Sequence, residues 1–128
     1  MSITEYMAEE MDALGINYDF EEWKGEPKYP YITGEYQEVE SLDEDGEQET
    51  QFILNVFARG ITAHGELEEV KKKIKKHFPK IGGRLATIGE GSRVAIFYAN
   101  TLGNIPTGDA DLKKIQINLK IKEWSVEE

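Results

Sequence analysis

The segment Lys114-Ile115-Gln116-Ile117-Asn118-Leu119-Lys120-Ile121-Lys122 alternates without a break. Branched apolar residues hold one face, and lysines and amides hold the other. Successive side chains of a strand point to opposite faces, so this is a strand with one dry side and one wet side. Such a strand belongs to a sheet covered on one face. A cover for it lies upstream. Leu67, Val70, Ile74 and Phe78 recur at helical spacing, and Pro79 stops the helix. Lys71, Lys72, Lys73, Lys75 and Lys76 fill its outer face. Glu66, Glu68 and Glu69 occupy the first turn and the lysines come later, as the helix dipole favours. Glu68 with Lys72, and Glu69 with Lys73, are spaced i, i+4 for ion pairing.

The rest of the chain follows the same two periods. Ser2-Ile3-Thr4-Glu5 matches a capping box, in which the Ser2 hydroxyl and the Glu5 carboxylate satisfy each other's backbone N–H groups. Ile3, Tyr6, Met7, Met11 and Leu14 follow at helical spacing, and Gly15 is a suitable stop. This predicts a helix over about residues 3–14, with Glu5, Glu9 and Asp12 on its acidic face. Ile16, Tyr18 and Phe20 alternate as a short strand. A loop with two prolines and a glycine leads to a strand from Tyr31 to about Leu42. Asp43-Glu44-Asp45-Gly46 is a turn, and Gln48 to Arg59 returns as its partner. In that return strand Phe52, Leu54 and Val56 take one face, and Ile53 and Phe57 the other. Apolar groups on both faces predict cover on both, from a helix or a neighbouring subunit. Arg84–Ile88 and Ser92–Asn100 form a second hairpin around Gly89-Glu90-Gly91. Thr101–Asp111 reads as a long polar loop, functional or mobile.

The order is therefore α-β-β-β-α-β-β-β. The chain reads as a single α+β domain, residues 1–128, with an antiparallel (mixed) sheet and two helices packed on one face. Its short connections favour antiparallel pairing. The long hairpin at 31–59 and the loop at 101–111 are its two conspicuous projections.

Charge is divided unevenly. Residues 1–50 hold 16 acids and 2 bases, and residues 51–128 hold 9 acids and 13 bases. A subunit with patches of opposite sign can join copies of itself head to tail. The competing explanation is two ordinary solvated faces. There is no cysteine, so disulfides, thiolate metal sites and thiol nucleophiles are excluded. The N-terminus lacks the basic and apolar pattern of a signal peptide, and no stretch has the roughly 20 apolar residues that span a membrane. The expectation is a chain that stays in the cytoplasm.

No catalytic or cofactor motif emerges. Aligned on Gly46, the first and twelfth positions of a calcium loop would be Ser41 and Phe52, which cannot serve. His64 and His77 have no partner ligand at metal-binding spacing. Gly82-Gly83 and Gly89-Glu90-Gly91 lack the order of a phosphate cradle and fit turns. The lysines of the second helix have no interleaved aromatics, so no sequence-specific contact with nucleic acid is expected.

The order of parts carries a resemblance. An amphipathic helix leads into a loop ending Pro27-Lys28-Tyr29-Pro30-Tyr31-Ile32. A long hairpin ending Phe52-Ile53-Leu54-Asn55-Val56-Phe57 follows, then the helix with Leu67, Val70 and Ile74, and a β-rich C-terminus. This resembles the phage tail-terminator (tail-completion, head–tail joining) and minor tail protein family. The resemblance implies a sheet flanked by helices and a non-enzymatic subunit of a homo-oligomeric ring, commonly a hexamer. It implies the tail-tube protein and the head–tail connector as partners, no cofactor, and a place in the host cytoplasm during assembly and then in the virion tail. It places subunit contacts in the hairpin and the long loop. With the charge division, this nominates Glu35, Glu38, Glu40 and Asp43 against Lys72 and Lys76, with Asn104 and Ile105 from the loop. The alternative is an acidic binding module, such as a phage-encoded inhibitor that mimics DNA charge, using an acidic face built from residues 35–49.

Overall fold

A computed structural model describes residues 2–39, 48–88, 92–103 and 105–125. The elements are α1 (Ile3–Ala13), β1 (Asn17–Phe20), β2 (Tyr31–Val39), β3 (Gln48–Arg59), α2 (Ala63–His77), β4 (Arg84–Ile88), β5 (Ser92–Leu102) and β6 (Leu112–Ser125). They form one six-stranded mixed sheet in the order β1-β2-β3-β6-β5-β4. The fold is α+β in the expected element order.

Register explains the core. Phe52, Leu54 and Val56 of β3 stand opposite Leu119, Ile117 and Ile115 of β6, and Ile96 of β5 stands opposite Ile121. These side chains share one face with Ile32, and all are buried. Met7 and Met11 of α1, and Leu67, Val70, Ile74 and Phe78 beside or within α2, join them in a single cluster. Both helices therefore cover the same face of the sheet.

The helix ends follow local chemistry. Ser2 caps α1, its hydroxyl oxygen accepting the Glu5 N–H at 3.1 Å. The Glu5 carboxylate accepts from the Ser2 hydroxyl at 3.2 Å, so only one half of the reciprocal capping box forms. Leu14 is the C-cap, and Gly15 follows at φ +71°, where a side chain would be strained. α2 begins at Ala63, one turn earlier than its acidic residues suggest, so Glu66 is the acid of its first turn. Glu68 pairs with Lys71 at i, i+3 (4.0 Å) and not with Lys72.

Three expectations change. First, β1 runs parallel to β2, against the antiparallel rule for short connections. Residues 21–30 supply enough chain to bring it back in the same direction, with a cis Tyr29–Pro30 bond near their end. Second, Thr101 and Leu102 belong to β5, whose ladder with β6 resumes after a bulge at Tyr98/Asn100, so the loop is residues 103–111. Third, Ile53 and Phe57 are half-buried with no helix over them. Phe57 is instead covered by Tyr31, stacked at 4.9 Å between ring centres, with Trp23 and Tyr29 against Tyr31 at 4.9 and 5.4 Å. The loop after β1 thus lays a small aromatic cluster on the outer face. Lys114 lies 5.4 Å above Phe57 and Arg59 lies 5.6 Å from the Tyr29 ring. The turns sought at residues 43–46 and 89–91 lie outside the described residues.

Gly34 has a packing reason. A Cβ there would collide with the Tyr18 hydroxyl and come within 2.8 Å of Phe52 Cε1. The Tyr18 hydroxyl itself is buried without a hydrogen-bond partner. Burial, reinforced by the charge of Asp19, pushes its pKa up. An unpaired buried hydroxyl costs stability. Tyr18→Phe should therefore raise the unfolding free energy by about 0.5–1 kcal/mol in urea titration, because it removes the unpaired hydroxyl and keeps the ring. A loss of that size would mean that the hydroxyl is paired in solution.

Candidate functional site

The strongest electrostatic feature joins α1, α2 and β4. Glu10 falls three and four residues after Met7 and Tyr6, which puts it on the buried stripe of α1. It is 7% exposed. One carboxylate oxygen is 2.7 Å from His77 Nε2, and the other accepts from Arg84 Nε at 3.0 Å. Burial works to raise the Glu10 pKa. Hydrogen bonds from Tyr6, His77 and Arg84 outweigh it and hold the carboxyl below its usual range. The hydrogen bond to Tyr6, and then Glu10, hold the Arg84 guanidinium above its usual value.

The clamp thus ties α1, which packs on β1 at one edge of the sheet, to α2 and to β4 at the other edge. His77, at the end of α2, is a partner of Glu10. The signal was available: an acid on the apolar stripe of an amphipathic helix needs a buried partner. The arrangement is a structural clamp, since a cation or imidazole already holds each carboxylate oxygen.

A cleft of about 510 Å³ lies between α2 and the loop at 103–111, lined by His64, Leu67, Glu68, Ile105, Asp109 and Lys113, among others. The loop is held at several points. Ile105 N–H donates to Lys114 O (3.1 Å), the Thr107 hydroxyl to Leu112 O (2.9 Å), and Arg59 pairs with Asp109 at 2.9 Å. Ile105 thus lies half-buried against β6, with His64 across the cleft. Among the described residues no group of three or more His, Asp or Glu could hold a metal.

The nominated contact residues divide between two sides. Glu35 lies on the outer face of the sheet, where it accepts from Asn55 Nδ2 at 3.2 Å. Lys72 and Lys76 are exposed on the solvent side of α2, across the helical layer from Glu35. Among the described nominated residues, Glu35 is not brought together with Lys72 or Lys76. Glu38 pairs through its backbone position with Thr50. Glu40, Asp43 and Asn104 lie outside the described residues.

Sequence reading missed the outer face of β4, β5 and β6. Leu85 stands opposite Ala95, and Ala95 opposite Lys122; Phe97 stands opposite Lys120. Leu85 is 71% exposed and nearby Ile81 is 91% exposed. A groove of about 390 Å³ runs beside Phe97, lined by Lys80, Lys120 and Lys122. In sequence this stretch reads only as an ordinary hairpin, because burial of alternate residues depends on what lies over each face.

No protein-family model matches the chain, and no curated protein matches it significantly.

Proposed function

We propose that this chain is a non-enzymatic structural subunit of a phage or prophage tail. It assembles into a ring, commonly of six copies, that caps the tail tube and joins it to the head. The observation that carries the reading is the separation of charge: Glu35 of the hairpin and the Lys72–Lys76 face of α2 lie on opposite sides of the sheet. Patches of opposite sign on different surfaces cannot satisfy each other within one subunit. They suit heterologous contacts, which close into a ring when the rotation per subunit divides the circle. The resemblance in order of parts supports the same reading, with the tail-tube protein and the head–tail connector as axial partners.

The test is charge reversal. Rim charges chiefly speed and orient association, and salt screens them over about 10 Å at 0.1 M. Assembly is followed by sedimentation and electron microscopy at rising protein concentration and low salt, with and without tail tubes. Lys72→Glu with Lys76→Glu should weaken ring formation, and adding Glu38→Lys with Glu40→Lys should partly restore it. Lysine reversals that leave assembly unchanged would reduce these lysines to a solvated helix face. A chain that stays monomeric on tail tubes would overturn the reading.

A further inference from the structure

The sheet ends in two edge strands, β1 and β4. An edge strand turns unpaired N–H and C=O groups outward, and folded proteins ordinarily blunt it with a charge, a proline, a bulge or a cover. β1 is blunted by Asp19, whose carboxylate also accepts the Lys24 N–H at 3.2 Å. β4 is Arg84-Leu85-Ala86-Thr87-Ile88, without proline, and its ladder with β5 runs without a bulge. No strand lies on its far side among the described residues. Its single charge, Arg84, is engaged by Glu10 at 3.0 Å. Arg84 shares the core face with Ile96 of β5, so Leu85 and Thr87 take the outer face. Both are exposed, Leu85 at 71%.

This strand is complementary to itself. Antiparallel pairing about Ala86 sets Arg84 against Ile88 and Leu85 against Thr87 of a second copy, with Ala86 against Ala86. Each pair shares a face, because the side-chain period is two. The two Leu85 residues become diagonal neighbours, about 7–8 Å apart, within reach of each other's side chains. The two Arg84 residues lie four positions apart, about 14 Å, beyond the screening length of roughly 10 Å at 0.1 M salt. Arg93, opposite Thr87 on β5, is kept from its counterpart by three strand spacings, again about 14 Å. No like charges therefore meet. β1 of a second copy suits this edge less. Asn17 and Asp19 share the outer face with Tyr31 and Thr33, and would set a carboxylate among the partners of Leu85 and Thr87. We propose that β4 pairs antiparallel with β4 of a second copy, across a two-fold axis at Ala86, joining the two sheets edge to edge. The contact is isologous and does not rest on the ring reading, whose contacts are heterologous.

Sedimentation of the unmodified chain at rising concentration should show a dimer. A chain that stays monomeric at the highest attainable concentration overturns the proposal. Leu85→Lys puts a charge at an exposed position and should keep the unmodified melting temperature. It should move the dimer midpoint to higher concentration, by roughly tenfold or more. Thr87→Lys should act in the same way, and undiminished dimerisation of both variants overturns the proposal. The chain has no cysteine, so single cysteines report contacts without background. Leu85→Cys and Thr87→Cys, mixed and mildly oxidised, should give more disulfide-linked dimer than either variant alone. No excess in the mixture overturns the proposed pairing. A better crosslink of Leu85→Cys with Asp19→Cys would establish a β4–β1 contact and also overturn it. Lys72→Glu with Lys76→Glu should leave this dimer intact, and its loss would assign the self-association to α2 instead. Ring assembly is read separately on tail tubes, so failure of the β4 contact leaves the ring reading standing.

Discussion

Glu10→Ala should lower the unfolding free energy by about 3 kcal/mol, the lower end of the range for breaking a buried ion pair. The lower end applies because Arg84, with 42% of its side chain exposed, regains water when its partner is removed. His77, at 17%, regains less. The cost should depend on pH in a defined direction. The folded-state pKa of Glu10 lies below its unfolded value. Its contribution is then complete above the ordinary carboxylate range and is lost as pH falls through the folded value. Urea unfolding of the unmodified chain and Glu10→Gln should give stabilities that differ at pH 7 and converge in strong acid. Other carboxylates titrate in both proteins, so the difference isolates Glu10. A difference that held constant down to pH 2 would contradict an ionised, clamped carboxylate.

Leu119→Ala should cost about 2–5 kcal/mol, the range for a leucine removed from a packed core. Leu119 is fully buried, with Phe52 opposite it on β3 and Tyr98 on β5. It shares its cluster with Ile117, Val70 and Ile74. The measurement is the shift in urea midpoint with unchanged slope. A loss under about 0.5 kcal/mol is the scale of a surface substitution and would be incompatible with this register of β6.

These two residues mark the division between what was legible along the chain and what was not. Leu119 was placed by its neighbours in sequence: the alternation of residues 114–122 alone puts it on the dry face, because a strand's side-chain period is two. The stripe Leu67, Val70, Ile74 and Phe78 was readable for the same kind of reason, a period of 3.6. Element order, both helices, and exposure of Lys72 and Lys76 follow from such local repeats. Glu10 carried a local anomaly, but its partners lie 67 and 74 residues away, and nothing near Glu10 names them. The parallel pairing of β1 and the aromatic cover of Phe57 were likewise decided in three dimensions. Each depends on which strand lies beside which, and on what covers a face. Those choices are set by the packing of distant segments around one core, whereas a periodic pattern records only that a face is dry.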